Sequence, residues 1–265
     1  MKALALLLAA TTARADPCAD AIVDPVATPV RDAGLDVQRG ACARSMLTGE
    51  LLAHALIDNP GFHGVSGGEL DLGARLALGS HFEVGAQLRA LDAAYVVNAV
   101  NSVLGAAFGP LVVTGAMGDP LGPHGRVALV GALELPITRS DTGTTRIGGQ
   151  LAAVVTGELT PSLVLHARLG AVAAAAASAG GAVSWLAFRA GADLAWRTSA
   201  HVALQAGGDV EAGWYGGLDH VLVRAGIRFA PHAGRWRGSV GLGFPLGGGE
   251  RTTAIADFGI ARDLD

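Results

Sequence analysis

The chain has 265 residues, 51% of them hydrophobic and only 16% charged, with a formal charge of −4 and a mean hydropathy of +0.42. This is apolar for a soluble protein of that length, and mild acidity without a basic tract argues against nucleic acid as a partner. The 39 glycines fit turns and tightly packed strands better than long helices.

Residues 1–15 (MKALALLLAATTARA) combine Lys2, an apolar run over 3–10 and an Ala13-Arg14-Ala15 cleavage pattern, which predicts a secretory signal peptide. Cleavage there starts the mature chain at Asp16, takes the formal charge from −4 to −6 by removing Lys2 and Arg14, and leaves no lysine. Residues 16–45 are punctuated by proline, read as a periplasmic segment without a core of its own, and carry Cys18 and Cys42. Export to an oxidising compartment makes a Cys18–Cys42 disulfide the expectation, with two free thiols as the alternative.

From Met46 onward the pattern is alternation. GELDLGARLALGS, residues 68–80, places Leu or Ala at every second position from Leu70 to Leu78, with Glu69, Asp71 and Arg75 between them. Strands are predicted over 46–56, 68–79, 81–92, 102–116, 124–135, 146–158, 162–173, 183–197, 200–211, 219–229, 235–245 and 252–262, twelve in all and in one domain. The nearest candidate for a transmembrane helix, Gly170–Phe188, is mostly alanine interrupted by Ser178, Gly180 and Gly181, which makes a weak membrane helix. Every second connection is tight: Gly79-Ser80-His81, Thr160-Pro161-Ser162, Thr198-Ser199-Ala200 and 231–234. The connections between them are longer, at 57–68, 92–102, 136–146 and 174–182, and the link over 118–124 is the exception on the short side.

The faces divide by polarity. In the eighth predicted strand Leu186, Phe188, Ala190, Ala192, Leu194 and Trp196 oppose Arg189, Asp193 and Arg197. Phe82, Trp196, Phe229 and Trp236 fall on apolar faces beside the short turns, as an aromatic girdle requires, and Tyr95, Trp214, Tyr215 and Phe244 fall near the long loops.

Signal peptide, alternation, rim aromatics and loop asymmetry together make the chain from Met46 to Arg262 resemble the bacterial outer-membrane β-barrel proteins. The resemblance implies an all-β fold, a single antiparallel up-and-down transmembrane barrel of about twelve strands. It also implies location in the cell outer membrane, contact with outer-membrane lipid, and recognition by the barrel-assembly machinery through a last strand ending in an aromatic. Here the chain departs: its last residues are Arg262-Asp263-Leu264-Asp265.

On that reading the polar faces line a lumen. The cations are Arg75, Arg89, Arg126, Arg146, Arg168, Arg189, Arg197, Arg224, Arg228, Arg235 and Arg237; the anions are Glu50, Glu69, Asp71, Glu83, Glu134, Glu158, Asp193, Asp209, Glu211 and Asp257. With the signs nearly balanced, a pore for small polar solutes with weak charge selectivity is one expectation, and a closed barrel with a structural or surface-contact role the other. Whether residues 16–45 plug the lumen or bind something in the periplasm stays open.

Chemistry beyond passage has little in its favour. Gly64-Val65-Ser66-Gly67-Gly68 matches G-x-S-x-G, but the reading places it in a glycine-rich loop before a strand, whereas a nucleophile elbow needs a strand before it and a helix after. His81, His124, His201 and His232 fall at short turns, and His166 and His220 point inward on separate strands, so an enzyme acting on lipid or peptide is the remote alternative. No metal-ligand spacing and no cofactor motif is present, and GLGFPLGGG (241–249) reads as a strand end and loop rather than a phosphate loop.

Overall fold

The computed structural model describes Cys18 and residues 40–58, 63–97, 102–136, 145–178, 181–213, 218–230, 235–247 and 252–264. The predicted leader, Trp214, Tyr215 and His232 lie outside the described residues, as do the side chains of Arg146 and His220. Thirteen strand segments follow one another: β1 (Met46–Asp58), β2 (His63–Leu78), β3 (Phe82–Val97), β4 (Ser102–Ala107), β5 (Leu111–Pro120), β6 (Gly125–Leu135) and β7 (Thr145–Thr160), then β8 (Leu163–Ser178), β9 (Gly181–Arg197), β10 (Val202–Gly213), β11 (Leu218–Phe229), β12 (Trp236–Gly247) and β13 (Thr252–Asp263). Consecutive strands pair antiparallel except β4 with β5, and β1 pairs with both β2 and β13, which closes the sheet into a cylinder. β4 and β5 share β3 as partner, β4 along Asp92–Val97 and β5 along Phe82–Leu88, and so form one stave. The cylinder therefore has twelve staves.

The sequence reading ran one strand through 102–116, and the structure corrects it. Pro110 has no N–H to contribute to a ladder. The chain instead steps aside at Phe108–Pro110: Gly109 N–H donates to the Arg89 carbonyl (3.0 Å) and Arg89 N–H donates to the Pro110 carbonyl (3.3 Å). A Cβ on Gly109 would overlap the Arg89 side chain, so this step requires glycine.

Several predicted loops are also shorter than expected. The β1–β2 ladder continues through Leu56↔Val65, Ile57↔Gly64 and Asp58↔His63, and β8–β9 continues through Ala176↔Val183 to Ser178↔Gly181. Alanine and glycine are weak strand formers by themselves, but a growing hairpin supplies backbone partners that override the preference. The short turns are tight, and Gly79 at φ 75° provides the left-handed residue that the β2–β3 turn needs.

The distribution of polarity is the reverse of a soluble barrel. Leu72 is 50% exposed and Leu151 57%, on the outside, while Asp193 is 2% and Arg228 1% exposed, on the inside. Leu76, Val84, Leu129, Leu194, Ile227 and Phe258 continue the apolar exterior. With large apolar side chains exposed around the cylinder, the outer surface matches hydrocarbon and the inner one holds the charge.

Candidate functional site: the lumen

Two ion-pair networks dominate the inner wall. On β2–β3, Arg89 Nη2 meets Glu69 Oε2 at 2.7 Å, its Nε meets Asp71 Oδ1 at 3.3 Å, and its Nη1 meets Asp92 Oδ2 at 3.6 Å. Gln87 Nε2 donates to the other oxygen of Asp71 at 3.0 Å, and Glu50 on β1 lies across the ladder from Asp71. One guanidinium thus serves several carboxylates, all on one side of the lumen.

The second network spans β8 to β11. Arg168 Nη1 donates to Asp193 Oδ2 at 3.0 Å and Arg168 also pairs with Asp209. Arg224 Nη2 reaches Asp209 Oδ2 at 2.7 Å and Asp193 Oδ1 at 3.3 Å, closing a four-membered ring of alternating charge. The register explains how these groups fit. Asp193 lies opposite Gly207, and Asp209 opposite Gly191. A Cβ on either glycine would collide with the facing carboxylate, so each aspartate lies flat in space a glycine leaves open. The same device recurs where Asp257 faces Gly241.

The remaining charged residues have local partners. Arg189 pairs with Glu211, Arg75 with Glu83 (Nε–Oε1 2.8 Å), and Arg237 with Asp263 (2.7 Å). Arg228 Nε donates to Gln205 at 2.9 Å. Arg126 donates to the carbonyls of Ser80 and Gly118, stitching the short-turn end, and Glu134 is buried on the inner face near the long-loop end of β6. Arg197 sits at the short-turn rim, donating to the Pro161 carbonyl at 3.3 Å. Arg235 is exposed at a bend just before β12, at the short-turn rim rather than among the buried charges of the wall. Phe82, Trp196 and Trp236 are exposed on the outside near the same rim, with the Arg262 guanidinium 5.6 Å from the Trp236 ring centroid, while Phe229 is half-buried against Gly238. Tyr95 and Phe244 are exposed on the outside toward the long-loop end.

Charge does not cover the whole interior. The inner faces of β5–β7 present Val112, Ala116, Ala128, Val130, Ala132, Ala152 and Val154, a wall of small apolar side chains. Listing the charged positions alone misses it, although the alternation through VALVGAL in β6 carries the signal.

Part of that wall is occupied. Residues 40–45 run inside the short-turn mouth, with Ala41, Cys42 and Ser45 buried and Ala41 packed against Ala128, Val130 and Val154. Ala41 N–H donates to Thr156 Oγ1 at 2.8 Å, and that hydroxyl also hydrogen-bonds His166 Nδ1 at 3.0 Å. Arg44 N–H donates to Glu83 Oε2 at 2.9 Å, while Ala77 N–H donates to Ser45 Oγ at 3.2 Å. Cys42 is disulfide-bonded to Cys18, whose carbonyl accepts from Arg44 Nη2 at 2.7 Å.

These placements bear on the catalytic readings. Gly64–Gly68 lies within β2, not in a loop, paired on both sides, because the hairpin ladder extends through it; Ser66 faces outward from a regular strand with no helix after it. His166 is buried against Thr156 beneath residue 41. His81, His124 and His201 sit at the short-turn end, bonded respectively to Asp119, to Glu158 and to the Ala230 carbonyl.

No protein-family model matches the chain, and no curated protein matches it by sequence. Its fold does match solved structures. An outer-membrane channel from Pseudomonas putida F1 aligns with a TM-score of 0.60 at 14% identity, over 91% of this chain and 99% of that one. The translocator domain of the autotransporter NalP from Neisseria meningitidis aligns at 0.57 and 13%, over 99% and 98%. The KdgM porin aligns at 0.53 and 7%, over 83% and 99%. The fold of this chain is that of the bacterial outer-membrane β-barrels.

Proposed function

We propose that the protein resides in the outer membrane of a Gram-negative bacterium and provides a narrow channel for small polar solutes with weak charge selectivity. The observation that carries this reading is the inverted polarity of the cylinder, leucine outward and paired charge inward. Exposing Arg224 or Arg189 to the bilayer midplane instead would cost about 2 to 4 kcal/mol each, and a row of charged side chains has a use inside a barrel that hydrocarbon cannot give it. The leader over 1–15 delivers the chain, the short turns and both ends face the periplasm, and the long loops face outward. Outer-membrane lipid and the barrel-assembly machinery are its partners in the envelope. The channel of Pseudomonas putida and the KdgM porin share the fold, which supports passage as its use here.

Close pairing of opposite charges gives a lining with little net field, hence weak selectivity. Burial of those same groups favours a second reading, a closed barrel with a structural role. Planar-bilayer recording on the purified, refolded protein decides between them. The channel reading expects small stepwise openings with a reversal potential near zero in a KCl gradient. Silence over many insertions, in both the oxidised and the reduced protein, would leave the closed scaffold.

A further inference from the structure

The outward row of β13 ends on a charge. Ala256, Phe258 and Ile260 face out along that strand, and two residues further the same face carries Arg262, which is exposed. We propose that Arg262, stacked on Trp236 and with Arg235 beside it, binds the phosphate of an anionic phospholipid across the seam that closes the barrel. The proposal rests on the outer-membrane reading above, and it picks out one lipid site on a wall that the reading leaves uniform.

A guanidinium on the lipid-facing side of a strand needs a counter-charge, either from the protein or from the membrane. Among the described residues the protein supplies none: the neighbouring Asp263 meets Arg237 Nη2 at 2.7 Å on the other face, and no carboxylate pairs with Arg262. The Arg262 side chain instead lies over the Trp236 ring, with Cζ 5.6 Å from the centroid. At that range the indole face attracts and holds the cation. The stacking orients the planar group and leaves its N–H groups to donate as a fork to phosphate oxygens. Arg235, exposed at the bend before Trp236, adds a second positive charge, and its carbonyl accepts from the Asp263 N–H at 2.7 Å, which ties that bend to the end of β13.

The depth suits a headgroup. At about 3.4 Å per residue and a strand tilt near 40°, Arg262 stands about 5 Å nearer the short-turn end than Ile260, the last apolar residue of its row. Across the ladder Arg262 lies between Leu47 and Trp236, both exposed on the outside. Acyl chains therefore have Leu47, Ile260 and Phe258 to lie against while the phosphate meets the guanidinium. Because β13 pairs with β12 on one side and β1 on the other, a lipid seated there touches the first and last staves at once. Trp196, at the same rim, has no such neighbour: its ladder partners are Leu163 and Leu204, and Arg197 donates to the Pro161 carbonyl. A zwitterionic headgroup carries its own cation beside the phosphate and an anionic one does not, so two arginines favour the anionic lipid.

Trp236 is itself the reporter. The sequence has four tryptophans, so W185F, W196F and W214F together leave Trp236 alone, and W185F, W214F and W236F leave Trp196 alone. Both proteins are refolded into mixed vesicles of phosphatidylglycerol and phosphatidylcholine in which one lipid or the other carries brominated acyl chains, and folding is checked by heat-modifiable migration. Bromine quenches indole emission only at close contact, so quenching across lipid ratios gives the relative affinity of the two lipids beside each ring. At Trp236, phosphatidylglycerol is expected to be favoured about fivefold, the scale of one arginine at an anionic surface. That preference should vanish with R262Q and be absent at Trp196. The protein with all four tryptophans gives a second readout, in which R262Q should lower quenching by brominated phosphatidylglycerol. Equal quenching by the two lipids at Trp236, or a preference that R262Q leaves intact, would overturn the proposal while the membrane reading stands. Quenching of neither ring by either lipid would put both outside the bilayer and overturn the membrane reading as well. Exchanging chloride for inorganic phosphate at constant ionic strength should preserve the preference, and its loss would overturn the lipid assignment in favour of a free anion.

Discussion

Substituting arginine along one outward-facing row of β7 measures where hydrocarbon begins. Leu151 lies mid-strand, paired with Gly131 and Ala171, and is 57% exposed; Leu159 faces outward at the short-turn end of the same strand. At about 3.4 Å per residue and a strand tilt near 40°, the two positions differ in depth by about 20 Å. The apolar band of such barrels is about 25 Å tall, so a residue near its middle has the rim about 12 Å away, and Leu159 falls beyond it. Leu151→Arg should then cost about 2 to 4 kcal/mol, and Leu159→Arg about 0 to 1 kcal/mol. Urea unfolding of the protein in phospholipid vesicles, followed by tryptophan emission, gives both values. Costs equal within about 1 kcal/mol, or a larger cost at 159, would show that the leucine face does not lie against lipid.

Other perturbations address the interior. Arg89→Gln leaves Glu69 and Asp71 buried without their shared counter-charge, and should destabilise by about 3 to 5 kcal/mol in the same assay, with partial rescue by adding Glu69→Gln; a loss under about 1 kcal/mol would mean that water already solvates the site. The pair Asp193→Asn and Asp209→Asn uncovers Arg168 and Arg224, so the reversal potential in a KCl gradient should move toward anion preference, and movement toward cations would contradict the assigned lining. Thr156→Ala removes the acceptor for the Ala41 amide, whose hydrogen exchange should accelerate by about tenfold or more, consistent with about 1 to 3 kcal/mol for an orphaned buried donor; unchanged exchange would mean that the hydroxyl does not hold residues 40–45 in the mouth.

Much of the fold is legible because one physical rule repeats. Any strand that separates lipid from a polar interior must alternate, and β9 does so over eleven consecutive residues from Leu186 to Trp196. Cys18 and Cys42 are legible for another reason, since only two cysteines leave a single pairing. What stays hidden depends on register. The Gly109-Pro110 pair announces an interruption, but that Arg89 fills the space left by Gly109 follows only from the ladder. Likewise Asp193 and Gly207 are fourteen positions apart, and nothing local says that they face one another. The hairpin extensions past the membrane band fail for the opposite reason: the glycines of 64–68 and the alanines of 174–177 look like loop, and only a partner strand makes them otherwise. That part of 16–45 enters the lumen is one of the two readings the sequence leaves open, but which residues do so stays hidden, because Gly40, Ala41, Cys42 and Ala43 carry no periodicity at all.

The meeting of Leu264 with Ser45, amide to carbonyl at 2.9 Å, has a consequence for assembly. The seam between the first and last staves joins the most distant partners in the ladder, from Leu56↔Thr252 to Met46↔Asp263. Contacts of such separation cost the most loop entropy and form late. The socket that receives residues 40–45 has no complete perimeter until that seam is sewn. A seated amino-terminal segment is therefore a certificate of a finished cylinder, and a chain trapped as an open ribbon would have no place to put it.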